Sequence, residues 1–450
     1  MITDNARFKG FLQAVIGRAY VMIRLRGGAL RKFRRGASFL VLGTVSALIT
    51  IGRGGEGGGG GEGGGEAPTA KIVSDLPRQG ANRAQTTTMV NAINLAIDER
   101  NGKAGEVKIE YESLDDATAQ AGQWDAAKCA ENAQSAAQDD EIIGWIGPFN
   151  SGCAAVEIPI LNEAGLAMIS PANTYTGLTK PTPDESEPDK YYPTGERNYA
   201  RVIVTDVQQG QAGASFMDDE GVETVFILDD RETYGKGVAD EFQTAAEDLG
   251  IEVIGREGID GSAPNYRSLM NKIAAANPDA IYFGGIIENN AAQLIKDKVG
   301  AGMSNDEVTF VGPDGIFVDE LISQGGNAVE GIYVSFGGIP PEKLGSAGQE
   351  FIDKYEENYD DAVQPYTAYA YEAANVMLDA IERASKDAGG DVPDREAVVE
   401  QVFATQDYQG VLGTWSFDDD GDTSLTRLSI QEVEDGEWKL DRILDVEDMQ

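Results

Sequence analysis

Residues 141–175 read EIIGWIGPFNSGCAAVEIPILNEAGLAMISPANTY, and this stretch decides the fold. The runs IIGWIG (142–147) and LAMIS (166–170) are short, apolar and typical of buried strands. Residues 151–165 between them are long enough for a helix and begin with a serine. A strand, a helix and a second strand in this order predict a βαβ unit with parallel strands.

The same alternation extends in both directions. In the upstream segment 86–102, Met89, Ile93 and Ile97 recur every four residues, which predicts a helix with one buried face. Beyond Tyr199 the alternation starts again, with four more strand-like runs: VETVFILDD (222–230), IEVIGREGI (251–259), DAIYFGG (279–285) and VTFVGPDG (308–315). The sequence therefore predicts an α/β protein with two doubly wound, parallel-sheet lobes.

The composition excludes several classes of function. The chain has 450 residues, 36 Lys and Arg against 76 Asp and Glu, a net charge of −40, two cysteines and no histidine. Phosphate backbones repel such a polyanion, so we expect no nucleic-acid partner. Ser–His–Asp and Cys–His arrangements and Cys₄ zinc sites are impossible. The acidic run 418–422 lacks EF-hand spacing and predicts a solvated turn. We expect a protein that is not an enzyme and has neither cofactor nor metal.

The N-terminal region differs from the rest. Residues 1–36 hold nine Arg or Lys and one acid, and the apolar run ASFLVLGTVSALITIG (37–52) follows. This pattern predicts an export signal within residues 1–53, with an uncleaved signal anchor as the alternative. The run GGEGGGGGEGGGE (54–66) then predicts a flexible tether over residues 54–69. We expect membrane contact only through this N-terminal region or tether.

Candidate ligand-binding residues follow the predicted strands, because ligands of open parallel sheets bind at the carboxyl ends of the strands. Ser151 and Thr174 each offer a hydroxyl beside backbone N–H groups, which suits a carboxylate, although helix capping is the alternative. In the second unit Tyr234, Ile286 and Asp314 follow strands. Asp314 suits an ammonium group, with a turn-forming role as its alternative. Together these residues match a zwitterion in a cleft.

The motifs DAIYFGG, FVGPDG and VEGIYV, preceded by the stretch quoted first, resemble the leucine/isoleucine/valine-binding proteins of ABC importers. The similarity runs from about residue 70 to about residue 440. It implies a type I periplasmic-binding fold, with lobes 70–201 plus 333–426 and 202–332 plus 427–450. The lobes would be joined by crossings near Arg201, Tyr333 and Arg427.

The resemblance also implies a role for each candidate residue. Ser151 and Thr174 would hold the ligand carboxylate, helped by backbone groups of Ala172 and Asn173, while Asp314 would meet the ammonium and Tyr234 would close over the ligand. Ile286 stands where the family often has an aromatic residue, and the loop PRQGANRAQ (77–85) has none. We expect Phe149, Gln79 and Arg83 to shape the pocket instead.

The resemblance further implies an exported protein, periplasmic or on the cell surface, that acts as a monomer with an ABC permease. A disulfide between Cys129 and Cys153 fits this location, and two buried small apolar residues are the alternative. Arg53 stands where a lipid-modified cysteine would be expected, which leaves a lipid anchor unsupported.

The expected function is capture of a free amino acid, branched-chain or similar, by hinge closure. One alternative is a ligand-sensing receptor module of the same fold, and another is a binder of amides, urea or short carboxylates. Asp314 favours a ligand that carries an amine. A hydrolase or transferase is the least favoured alternative, because the chain has no histidine and no nucleophile motif.

Overall fold

The stretch that decides the fold forms the centre of a six-stranded sheet in the computed structural model, which describes residues 67–449. The strand order is β2-β3-β1-β4-β5-β6, with only the β2–β3 pair antiparallel. The strands are β1 (Thr69–Asp75), β2 (Lys103–Ala104), β3 (Val107–Leu114), β4 (Ile142–Ile146), β5 (Ala167–Ser170) and β6 (Tyr199–Arg201).

A second sheet of seven strands follows in the chain, in the order β15-β14-β11-β10-β9-β7-β8. Its strands β7 to β11 run parallel, whereas β14 and β15 are antiparallel additions. The nine remaining strands, two of which form a separate hairpin (β12 and β13), are β7 (Thr224–Asp229), β8 (Glu252–Gly258), β9 (Ala280–Gly284), β10 (Thr309–Pro313), β11 (Tyr333–Phe336), β12 (Tyr408–Gly410), β13 (Gly413–Trp415), β14 (Arg427–Glu434) and β15 (Glu437–Asp445).

Helices cover both sheets. They are α1 (Arg83–Glu99), α2 (Ala126–Ala137), α3 (Ser151–Glu163), α4 (Asp206–Asp219), α5 (Thr233–Leu249), α6 (Arg267–Ala276), α7 (Ala291–Gly300), α8 (Asp319–Gly325), α9 (Ser346–Tyr359), α10 (Thr367–Asp387) and α11 (Arg395–Phe403). Met89, Ile93 and Ile97 of α1 are buried, as their spacing predicts. The structure therefore confirms the predicted α/β fold class. None of the helices within residues 67–449 is both long and apolar enough to cross a membrane.

Local chemistry sets where some elements begin. The apolar pattern favours a helix from about residue 119, but α2 begins only at Ala126, because the Asp125 side chain accepts hydrogen bonds from the backbone N–H groups of Ala127 and Lys128. The turn between β14 and β15 consists of Asp435 and Gly436, both with positive φ. This is the two-residue hairpin that the Asp–Gly pair predicts.

The chain passes between the two lobes where strands end. The strand β6 ends at Arg201 and leads into α4, and Arg427 begins β14. Residues 333–336, which the prediction assigns to the first lobe, instead form β11, because they pair with β10 and β14 of the second sheet. The chain returns to the first lobe after Phe336, and α10 then packs against α1 and β4.

The acidic run 418–422 is not a solvated turn throughout, and that prediction is wrong for Asp422. The Asp422 carboxylate is buried and accepts a hydrogen bond from Arg201 Nε at 2.7 Å. Lys180 Nζ lies 2.6 Å from Asp418 and 2.7 Å from Asp420. The run lies against the end of β6, where the Arg201 N–H donates to the Gly421 carbonyl at 2.9 Å.

The predicted export segment (1–53) and all but the last three residues of the predicted tether (54–69) lie outside the described residues.

Candidate functional site

The predicted ligand-binding residues meet between the carboxyl ends of the two sheets. Seven of them surround one small cavity: Phe149, Ser151, Ala172, Thr174, Tyr234, Ile286 and Asp314. Asn150, Gly315 and Tyr366 complete its wall. The cavity measures about 30 Å³, which is room for about two water molecules. The cavity is thus smaller than a ligand of amino-acid size.

The wall of the cavity in the first lobe includes the loop 171–175, which hydrogen bonds to residues outside the cavity stabilise. The Ser170 hydroxyl accepts hydrogen bonds from the N–H groups of Ala172 (3.1 Å) and Asn173 (2.9 Å), and it donates to the Pro148 carbonyl at 2.9 Å. Arg201 Nη1 donates to the Tyr175 carbonyl at 2.9 Å. These bonds fix the backbone on which Thr174 is carried.

Two hydroxyl groups face the cavity from this lobe. Ser151 is the first residue of α3, and its oxygen accepts a hydrogen bond from the Tyr175 N–H at 3.3 Å, so its own proton remains available to a ligand. The buried Thr174 hydroxyl forms no hydrogen bond to any residue that the structure describes. The N-terminus of α3 adds a positive end of the helix dipole. This wall suits a carboxylate.

The second-lobe wall presents one carboxylate. Asp314 begins a short 3₁₀ turn directly after β10 and is buried. The hydroxyls of Tyr234 and Tyr366 donate one hydrogen bond to each of its oxygens, and the Gly315 N–H donates to the Tyr234 oxygen at 3.1 Å. Burial raises the pKa of Asp314, while the two hydroxyl donors oppose the rise. Each oxygen retains a lone pair with which it can accept an ammonium N–H.

Two aromatic residues at the site are missing from the sequence prediction. Tyr366 lies immediately before α10, and its ring packs edge-on against Phe149 with the centroids 5.3 Å apart. Trp124 precedes α2 and packs against the cluster of Tyr234, Val238 and Ile286. It thus adds an aromatic side chain beside Ile286. Local sequence could suggest Tyr366 only through the series of tyrosines that opens α10.

The remaining predicted residues do not line the cavity. Gln79 donates its side-chain amide to Asp115 at 2.8 Å. Asn173 donates to the Phe149 carbonyl at 2.8 Å and thus supports the wall from outside. Arg83 is exposed on α1, so its expected role in shaping the pocket has no support in its position.

The two cysteines form a disulfide, Cys129–Cys153, which joins α2 to α3 two residues after Ser151. Three buried carboxyl groups, those of Asp75, Asp116 and Glu157, lie around it. Burial raises the pKa of all three, that of Asp75 to about 6. The disulfide therefore anchors the helix that presents Ser151.

A larger groove of about 640 Å³ lies elsewhere on the first lobe, where its lining includes Asn162, Arg197, Glu396 and Phe403. It shares no residue with the cavity between the sheets. Five of its lining residues carry a carboxylate side chain, and none of the predicted ligand-binding residues lines it. We therefore assign the candidate site to the smaller cavity.

The chain is similar to proteins of one known family. The family model described as "Periplasmic binding protein" matches residues 69–437. The Leu/Ile/Val-binding protein homolog 2 of Brucella abortus is 30% identical over 295 residues, which cover 65% of this chain and 72% of the relative.

Solved structures share the fold. A leucine-binding protein from Thermotoga maritima is 25% identical with a TM-score of 0.72, and the match covers 84% of this chain and 99% of that one. A solute-binding protein of an ABC transporter from R. palustris, in complex with benzoate, is 19% identical with a TM-score of 0.67 and coverage of 83% and 96%. The second similarity shows the fold alone.

Proposed function

Since this chain belongs to the periplasmic binding protein family and to its leucine/isoleucine/valine-binding members, we propose that it captures a free amino acid, branched-chain or similar, for an ABC importer. Members of this family bind small molecules without transforming them, so the chain is a binding protein and not an enzyme. In this proposal it works outside the cytoplasm, as a monomer, and delivers its ligand to a permease.

The observation that carries the proposal is the pairing of opposite chemistries across one cavity. The hydroxyls of Ser151 and Thr174 and the N-terminus of α3 face it from one lobe, and the Asp314 carboxylate faces it from the other. An α-amino acid carries a carboxylate and an ammonium on the same carbon. The two lobes would then each bind one of these charged groups.

The side-chain pocket would be apolar. Phe149 and Ile286 line the cavity, and Trp124 packs behind Ile286. Burial of an aliphatic side chain against such walls contributes about 0.8 kcal/mol for each CH₂ group. This favours leucine, isoleucine or valine over charged amino acids.

Binding would proceed by hinge closure. The cavity is too small to admit an amino acid as it stands, so the lobes must separate about their crossing segments and close again on the ligand. The ligand would gain contacts with Asp314 and Tyr234 only in the closed form. A sensing module of the same fold would share this binding step and differ only in its partner.

An aromatic carboxylate is the second candidate ligand, because a solved protein of this fold holds benzoate and because Phe149 and Tyr366 line the cavity. Asp314 argues against it. A ligand with a carboxylate and no cation would leave the buried Asp314 without a positive partner, and two like charges in one site repel each other.

A thermal-shift panel on the purified protein tests the proposal. The panel contains the standard amino acids, benzoate, urea, small amides and short dicarboxylates. Ligand at about 1,000 times its dissociation constant stabilises the folded state by about 4 kcal/mol, which raises the melting temperature measurably. We expect a rise with leucine, isoleucine or valine.

The matched variants are Asp314→Asn and, on the exposed surface nearby, Asp319→Asn. The first should abolish the rise and the second should retain it. A rise with benzoate or amides only, equal in both variants, would refute amino-acid capture.

A further inference from the structure

Asp206 is a second buried carboxyl group close to the site, and it has no role in the ligand contacts proposed above. It is the first residue of α4, directly after the chain leaves the first lobe. It has no exposed surface, and neither of its carboxyl oxygens forms a hydrogen bond to any part of residues 67–449. Burial of a polar group without a hydrogen-bond partner costs free energy, so the position of the Asp206 carboxyl group needs an explanation.

Asp206 lies beside Thr174. Its backbone N–H donates to the Thr174 carbonyl at 2.8 Å, and the Thr174 hydroxyl is the other unpartnered group at this place. Gly237 of α5 makes room for the Tyr175 ring, since a Cβ atom there would lie 2.4 Å from it, and the same position is in van der Waals contact with Asp206 Oδ2 at 3.4 Å. The side chains of Asp206 and Thr174, neither of which has a hydrogen-bond partner among the described residues, are therefore carried by two backbone segments that bond to each other.

Burial favours the neutral form of the Asp206 carboxyl group. Burial raises the pKa of Asp206 well above its ordinary value, and Asp314 raises it further, while Thr174 and Arg201 lower it. Arg201 is already bound to Asp422. The titratable and charged groups that face Asp206 are Asp314, Arg201, Glu241, Tyr234, Tyr282 and Tyr366.

The protonation state of Asp206 decides which group would donate in a hydrogen bond between its carboxyl group and the Thr174 hydroxyl. A protonated carboxyl donates its proton to the Thr174 oxygen and leaves the threonine proton free for a third group. An ionised carboxylate would accept the threonine proton and remove it from the ligand. We infer that Asp206 is a positioning residue, which donates to Thr174 and turns the Thr174 hydroxyl toward the ligand carboxylate. This inference rests on the proposed function, because it requires a ligand with a carboxylate.

Calorimetric titration with L-leucine over a range of pH tests the inference. It compares the purified wild-type protein, Asp206→Asn, Asp206→Ala and the exposed control Asp218→Asn from the same helix. The Asn amide is a permanent donor, so Asp206→Asn should bind within about threefold of wild type at low pH. Asp206→Ala should lose about tenfold.

The pH dependence of leucine affinity shows whether Asp206 positions the Thr174 hydroxyl or has only a structural role. Wild-type affinity should fall relative to that of Asp206→Asn as the pH rises through the pKa of Asp206, because ionisation withdraws the threonine proton. A ratio of the two affinities that does not change with pH, or an Asp206→Asn variant as weak as Asp206→Ala, would overturn the inference.

A second measurement needs no ligand. The infrared difference spectrum of wild type minus Asp206→Asn should contain the carbonyl band of a protonated carboxyl at neutral pH, and Thr174→Val should shift that band. If only an ionised carboxylate band appears, the inference is wrong. If no protein in the series binds leucine, the proposed function fails, while the infrared band still decides whether Asp206 donates to Thr174.

Discussion

Asn82 and Glu288 join the two lobes by hydrogen bonds. The Asn82 backbone N–H and side-chain amide both donate to the Glu288 carboxylate, each at 3.0 Å. Asn82 lies just before α1 in the first lobe, and Glu288 follows β9 in the second. The carboxylate thus meets the positive N-terminal end of α1, and in the proposed hinge closure this contact forms only in the closed state.

This contact should slow the escape of ligand. We predict that Glu288→Ala raises the dissociation rate about tenfold or more and leaves the association rate nearly unchanged, because the contact forms after the lobes approach. Stopped-flow tryptophan fluorescence measures both rates, with Trp124 near the moving surface as the reporter. The control Glu252→Ala removes an exposed glutamate of β8. Equal dissociation rates in the two variants would contradict the role assigned to Glu288.

The buried pair of Arg201 and Asp422 should contribute strongly to stability. Asp422→Asn leaves the fully buried Arg201 guanidinium without its counter-ion, and breaking such a pair costs about 3–5 kcal/mol. We therefore expect a free energy of unfolding lower by about 3 kcal/mol. Urea unfolding measures the difference. Asp419→Asn is the matched control on the exposed side of the same turn, and a similar loss there would contradict the prediction.

Glu372 of α10 should make stability depend on pH. It is buried, and its carboxylate accepts hydrogen bonds from Trp415 Nε1 at 2.8 Å and from the Val411 N–H at 2.9 Å. Burial raises the pKa of Glu372 from 4.5 to about 7. A carboxyl group whose pKa is higher in the folded state contributes stability at low pH and loses it as the pH rises through the folded value.

We therefore expect the urea midpoint of the wild-type protein to fall between about pH 5 and about pH 8. The Glu372→Gln variant should show a smaller fall, because glutamine does not titrate. The exposed control Glu357→Gln should behave like wild type. If all three proteins show the same fall, Glu372 does not titrate as its burial implies.

The sequence predicts the parts of this molecule that depend on local pattern. Short apolar runs alternating with helical periodicity were enough for two parallel-sheet lobes, because each element must bury one face. The rule that ligands bind at strand ends placed Ser151, Thr174, Tyr234 and Asp314 around one cavity. That they contact a ligand remains a proposal.

What the sequence could not predict depends on contacts between distant parts of the chain. Tyr366 reaches Asp314 only because α10 returns to the first lobe beside the cleft. Asp422 is buried by Arg201, 221 residues earlier. The strand β11 joins the second sheet through pairing with β14, which is almost the last strand of the chain. None of these pairings has a local signal.

One calorimetric comparison tests most directly whether Asp314 and the facing hydroxyls recognise an amino acid as a zwitterion. L-leucine and 4-methylpentanoate, which is leucine without its amine, are titrated into the same preparation of the purified protein. We predict that leucine binds at least about 30-fold more tightly, because loss of one partner of a buried charge pair costs 2–5 kcal/mol or more. Equal affinities, or tighter binding of 4-methylpentanoate, would contradict recognition of the zwitterion.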